Sequence, residues 1–228
     1  MKIGIQVYVD ALITHFQRVL TTQEFIEFQI KGEQFELAKE NRKHGTDMYT
    51  WFELFNASIL LRDTHRQQQL IDLNAIEWNK AGDPFWIKMG LYMISLLGDD
   101  RAVQLERVQH LRAASGSDMG LFYGIEGNKI IHIEGRSKNL QRLRMPVVEL
   151  YELAIKGDAI LFNQQLETYL LDKKAYIIGN EKEDDPRFWI DFPLLACCAY
   201  AYDLGIAITV ESEYIPAWVY RGEFEEMR

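Results

Sequence analysis

At Gly98-Asp99-Asp100 and again at Gly157-Asp158, a glycine is followed at once by aspartate between two apolar, helix-periodic segments. Glycine closes a helix because it accepts the left-handed conformation that a C-terminus needs. Aspartate opens the next one by accepting hydrogen bonds from backbone amides that have no partner in the first turn. A stop joined directly to a start leaves room only for a tight corner, so each site predicts an antiparallel αα-hairpin. The flanks agree. Asp83-Pro84 opens a segment in which Phe85, Met89, Tyr92, Met93 and Leu96 share one helical face, with Trp86, Ile87, Leu91 and Ile94 on the others. That helix is expected to be buried nearly all round. After Asp100, Ala102, Leu105, Val108 and Leu111 point inward. Pro146 opens a helix carrying Val147, Leu150, Tyr151 and Ala154, and Asp158 caps one carrying Phe162, Leu166, Tyr169 and Leu170.

The remaining segments extend the same grammar. Thr21 to Glu24 fits a capping box, which predicts a long helix from Thr22 to Lys43 stopping at His44-Gly45. Thr46 and Asp47 can cap a helix with Tyr49, Phe52, Leu54, Phe55, Ile59 and Leu60, and Asp63-Thr64 breaks it before Leu70, Leu73, Ile76 and Glu77. The exception is the glycine-rich stretch around residues 115–135, where Leu121–Ile133 reads as a hairpin turning at Gly127-Asn128; the competing reading is a loop. The expected fold is therefore mainly α, a single domain over residues 1–228 of about eight to ten helices in antiparallel αα-hairpins, with one short β-hairpin near residues 119–134.

Composition narrows the partners. A net charge of −9 argues against nucleic acid, whose phosphates demand a basic footprint, and against an anionic membrane surface. It favours a basic protein partner, which such a field would attract and steer. The adjacent Cys197 and Cys198 diverge by about 100° on a helix, too far for an ordinary disulfide, and read as small core residues. The apolar positions of Ile3–Leu20 are interrupted by polar residues, unlike a signal peptide, and no run of about 18 apolar residues suggests a membrane span. A cytoplasmic location is the expectation.

Chemistry is sparse. His15, His44, His65, His110 and His132 show no metal-ligand spacing, and no cofactor motif stands out. Gly124–Lys129 lacks the ending of a phosphate loop, and Ser115 and Ser117 lack a nucleophile elbow. Asp99, Asp100, His110 and His132 around the glycine-rich stretch sketch a hydrolase or transferase as one alternative, although capping accounts for Asp99-Asp100 and for Asp184-Asp185 before Pro186. A helical-repeat scaffold with some other protein partner is another. Trp51, Trp78, Trp86 and Trp189 read as core. Trp218 follows Pro216 near the end of the chain and reads as half-exposed, so Trp218, Tyr220 and Arg221 form a candidate binding surface. The acidic clusters offer a second one: Glu181, Glu183, Asp184 and Asp185, then Glu211 and Glu213, then Glu223, Glu225 and Glu226. The first two bracket Pro193–Val210 and could share a surface facing lysines and arginines of a partner.

The C-terminal stretch Phe188–Pro216 carries a further signal: a buried helix holding Pro193, Leu194, Leu195 and Ala196, its closing Gly205, a β-branched run, and a tail with Glu211, Ser212, Tyr214 and Pro216. It resembles the end of the immunity protein 49 family, with weaker similarity at Trp86–Val108 and Ala154–Tyr176. The resemblance implies an all-α protein encoded beside a polymorphic toxin or type VI effector, and it implies binding to that toxin and blocking it rather than catalysis. It brings no catalytic residues and no cofactor.

Overall fold

A computed structural model describes residues 2–30, 33–40, 45–78, 83–116, 123–126, 129–132, 140–142, 144–184 and 189–224. Helix α1 spans Lys2–Leu20 and is followed by an antiparallel hairpin of β1 (Phe25–Ile30) and β2 (Glu33–Ala38). Then come α2 (Met48–Leu61), α3 (Thr64–Asp72), the single turn α4 (Ala75–Trp78), α5 (Pro84–Ser95) and α6 (Arg101–Gly116). Strands β3 (Tyr123–Glu126) and β4 (Lys129–His132) form a second hairpin. Helices α7 (Met145–Lys156), α8 (Ala159–Gly179), α9 (Phe192–Asp203) and α10 (Ala217–Tyr220) complete the order.

Aspartate caps set most of the helix starts. The amides of Thr50, Arg66, Phe85, Val103 and Leu161 donate to Asp47, Asp63, Asp83, Asp100 and Asp158 at 2.8–3.0 Å. Gly157 closes α7 with φ +74°, where any Cβ would be strained. Both predicted corners are present: α5 packs on α6 and α7 packs on α8. The turn between β3 and β4 falls where expected, since Glu126 pairs with Lys129; Gly127 and Asn128 themselves lie outside the described residues.

The core is organised around α2 and α9, which pack along each other. Leu54, Phe55 and Ala57 of α2 and Ala196 through Ala199 of α9 are fully buried. Apolar residues occupy most positions of these helices, which lie inside with α1, α3 and α5 against α2 and α7 against α9. Cys197 and Cys198 are free, fully buried thiols; burial raises both well above the ordinary cysteine range, which leaves them as unreactive packing groups. Polar contacts then set the register. The Trp51 indole donates to the Leu70 carbonyl at 2.9 Å, and the Tyr151 hydroxyl to Asn56 Oδ1 at 3.2 Å.

Several expectations are corrected. The helix foreseen over Thr22–Lys43 is instead the β1–β2 hairpin. Thr21 Oγ1 accepts from the Gln23 amide at 3.0 Å in a local turn rather than a capping box. Ile26, Phe28 and Ile30 alternate with polar residues in the first strand and Phe35 and Leu37 in the second, and Phe28 stacks on Phe35 across the strands at 5.2 Å. The fold thus has two hairpins among the described residues. Leu91 is exposed, so α5 is not buried all round, and Ala102 is exposed while Gln104 turns inward to the Ser95 and Asp99 carbonyls at 3.1 Å. The β-branched run after Gly205 forms no strand. Asn163 of α8 stands in for a strand partner, donating to the Ala207 carbonyl at 2.9 Å and accepting from the Thr209 amide at 2.7 Å.

Candidate functional site

Helix α9 starts later than its apolar run suggests. Asp191 is the N-cap, taking the Leu194 amide on Oδ1 at 3.0 Å, so Trp189 and Ile190 fall just outside the helix. Trp189 was expected in the core and is instead 60% exposed, with Ile190 at 43%. Beside it, Leu171 and Ile178 on the outer face of α8 are 64% and 53% exposed. The two sit seven residues apart, two helical turns along one stripe. Trp189, Ile178, Glu183, Glu213, Lys174 and Tyr214 line one groove, and an adjoining groove runs from Leu171 and Glu167 to Glu211. The result is an apolar patch rimmed by four carboxylates and one lysine.

The acidic residues singled out from the sequence therefore divide. Glu183 and Glu213 meet across the groove of Trp189, and Glu211 lies on the same rim. Glu181 is exposed at the end of α8 with φ +53°. Asp184 is exposed in a turn, the residues 185–188 after it lie outside the described residues, and Asp191 caps α9. Asp185, Glu225 and Glu226 lie outside the described residues. The residues of the aromatic candidate surface also lie in different settings. Tyr220 is only 3% exposed and packs edge-on against Tyr202 at 6.1 Å, so its ring is a core group. Trp218 is half-buried against Phe224, and Arg221 is exposed. Arg62 fixes this turn, reaching Asp203 with two N–H groups at 2.9 Å and the Tyr220 carbonyl at 2.7 Å.

Behind Ile190 lies a polar cavity of about 260 Å³ between α2, α7, α8 and the start of α9. Lys173 Nζ donates to Asp191 Oδ2 at 2.5 Å, and the Tyr169 hydroxyl donates to the same oxygen at 3.2 Å. Arg144 donates to Tyr49 Oη at 3.0 Å and to Glu53 at 3.5 Å, with its guanidinium 4.8 Å over the Tyr49 ring.

A model of immunity protein 49 matches residues 3–219 of the chain. The chain belongs to the immunity protein 49 family. Neither a curated protein nor a solved structure matches it.

In this immunity protein 49 family member, the charges of the cavity hold each other in place. Burial pushes the Glu53 carboxyl above the usual range, and Arg144 offsets this only partly. Burial would also raise Asp191, but Lys173, the Leu194 amide and Arg144 outweigh it and hold the carboxyl below the usual range. Tyr169 is pushed well above the phenol range by burial and by the Asp191 charge, so it stays a donor.

The residues of the enzymatic alternative do different work. Asp100 caps α6, Asp99 pairs with Arg107 at 3.3 Å, and His110 is exposed beside Glu106 at 3.9 Å. The side chain of His132 lies outside the described residues. Among those described, no three His, Cys, Asp or Glu side chains group as metal ligands, and no helix is long and apolar enough to cross a membrane. Trp189 was missed in the sequence because its neighbours Phe188, Phe192 and Leu194 resemble core; the usable signal was Asp191-Phe192-Pro193, a helix start that leaves position 189 outside.

Proposed function

We propose that this chain is an immunity protein that captures a basic cognate toxin on the face centred on Trp189 and occludes its active site or substrate channel. One observation carries the reading: a 60% exposed tryptophan among exposed Ile178, Leu171 and Ile190, ringed by Glu167, Glu183, Glu211 and Glu213. Nothing in the folding of α8 or α9 requires so much apolar surface in water, and contiguous exposed patches of this kind mark interaction sites. Aromatic anchors surrounded by a polar rim are the anatomy of a binding hot spot. The acidic rim supplies the field that draws in a cationic partner and sets its orientation. Membership of the immunity family supports a toxin as that partner.

Co-purification with the cognate toxin and an assay of toxin activity test the reading. Stoichiometric complex formation with loss of activity is expected. Undiminished toxin activity in the presence of excess protein rejects it.

A further inference from the structure

Trp189, Glu213 and Tyr214 line two depressions of different character. One is the acidic groove completed by Glu183 and Lys174. The other is an apolar pocket of about 190 Å³. Its inner wall comes from four separate elements: Ile5 of α1, Leu60 of α2, Leu195 of α9 and Val219 of α10. All four residues are buried, so the pocket reaches into the core. The exposed lining residues Trp189, Ile190 and Glu213 mark its mouth. The Trp189 indole is held by its hydrogen bond to the Glu183 carbonyl at 2.9 Å, so this wall is formed in advance.

Close-packed interiors leave few voids larger than a water molecule, and side chains that face an unfilled apolar space forgo dispersion contacts on that side. A guest that fills the space restores them. Size sets the guest: an engineered apolar cavity of about 150 Å³ takes up one benzene, whereas drug-sized ligands need roughly 300–1,000 Å³. One aromatic ring or branched aliphatic group is the right scale. Charge sets what lies beside it. Glu213 belongs to both depressions, so a group attached to the buried guest meets a carboxylate at the mouth, with Glu183 and the Trp189 and Tyr214 rings in the adjoining groove. Against the single Lys174, such surroundings favour a cation, which gains from carboxylates and from aromatic faces. We propose that this pocket is the anchor point for the partner, taking one large apolar side chain flanked by a lysine or arginine whose charged end lies in the acidic groove. The proposal rests on the reading of the Trp189 face as the toxin-binding surface, and it names the short sequence feature that the toxin presents there.

The test is an NMR titration of the full chain, following the Trp189 indole signal, with four small probes. Ethylbenzene supplies the ring alone, 2-phenylethylammonium adds a positive charge, 3-phenylpropionate a negative one, and ethylammonium carries the charge without the ring. Saturable binding is expected for the ring compounds. The cation should bind roughly 3- to 10-fold more tightly than the anion, and ethylammonium at least roughly 10-fold more weakly than 2-phenylethylammonium. Ile5→Phe fills the pocket from α1 and should abolish the ethylbenzene response; Val219→Leu intrudes on the same volume from α10 and serves if thermal melts show that Ile5→Phe does not fold. Glu213→Gln should narrow the preference for the cation and leave the affinity for ethylbenzene as it is. The absence of a saturable response to ethylbenzene overturns the proposal, as does equal affinity for the cation and the anion, or a folded, filled variant that binds the ring like the wild-type protein. In a second arm, saturating 2-phenylethylammonium should lower the apparent affinity for the cognate toxin; undiminished toxin binding overturns the toxin as the source of the side chain. Toxin capture without any probe response rejects the pocket alone, and a probe response without toxin capture rejects the immunity reading.

Discussion

The indole N–H of Trp189 donates to the main-chain carbonyl of Glu183 at 2.9 Å while 60% of the residue remains in solvent. The ring is thus held in place before any partner arrives, which lowers the ordering cost of binding. Among the tryptophans whose side chains are described it is the most exposed, whereas Trp51 is 1% exposed. Trp189→Phe should remove the most readily quenched component of tryptophan fluorescence in an acrylamide titration. The unfolding free energy should change by no more than about 1 kcal/mol, because one surface hydrogen bond is lost and little packing. A large loss of stability would make Trp189 a structural residue.

Glu211 and Glu213 stand exposed on the rim of that patch. Reversing both charges, Glu211→Lys with Glu213→Lys, should slow association with a basic toxin by roughly tenfold at low salt. The deficit should shrink as ionic strength rises, since exposed charges are screened. The melting temperature should move by no more than about 2 °C. Stopped-flow association at two salt concentrations checks the first part, and calorimetry the second.

Helix capping was the most legible layer of the sequence. Asp47, Asp63, Asp83, Asp100 and Asp158 all do what their positions suggest, because a cap is decided within three residues of chain. The β1–β2 hairpin was hidden behind an apparent capping box at Thr21–Glu24, and the pairing of Phe28 with Phe35 is a cross-strand contact that a helical pattern cannot display. The cavity was invisible for the same reason. Glu53 and Arg144 are 91 residues apart in sequence, and only the packing of α7 against its neighbours brings them together. Of the candidate binding residues, Glu183, Glu211 and Glu213 could be read as one surface from their flanking of Pro193–Val210. Tyr220 could not be recognised as core, because its burial depends on Arg62 and Tyr202 from distant helices.

The Lys173–Asp191 pair should be expensive to break. Both side chains are nearly removed from water, at 7% and 11% exposure. Lys173→Met leaves the Asp191 carboxylate buried without its main counter-charge, and a loss of about 3–5 kcal/mol is expected. The double variant Lys173→Met with Asp191→Asn should lose less than the sum of its two single changes, because the stranded charge is gone. Urea unfolding of the four proteins measures the coupling.

Acid titration should show two opposing trends. The folded Glu53 carboxyl lies above its ordinary range, so the native state holds that proton more tightly than the unfolded chain. Its contribution is full below the ordinary glutamate value of about 4.3 and is lost as pH rises through the raised folded value. The folded Asp191 carboxyl lies below its ordinary range; its contribution is present above about 3.9 and is lost as pH falls through the depressed folded value. Stability should therefore rise slightly on mild acidification and fall at lower pH. Glu53→Gln should abolish the rise and Asp191→Asn should flatten the fall, in thermal melts recorded between about pH 3 and pH 8.

Tyr92 presents the opposite case to Tyr151. Its hydroxyl is buried with no hydrogen-bond partner among the described residues, whereas Tyr151 reaches Asn56 at 3.2 Å. Tyr92→Phe should stabilise the protein by about 1 kcal/mol by removing an unsatisfied polar group, and Tyr151→Phe should destabilise it by about 1–2 kcal/mol. Parallel denaturant unfolding of the two variants distinguishes them.

The central claim is that the face around Trp189 seizes and silences a toxin. Titrating the activity of the cognate toxin with the wild-type protein and with Trp189→Ala tests it most directly. The wild-type protein should abolish activity at a one-to-one ratio. The variant should require roughly 30- to 700-fold more protein for the same effect, the conversion of a hot-spot loss of about 2–4 kcal/mol. Toxin activity that persists at saturating wild-type protein, or wild-type and variant curves that superimpose, would contradict it.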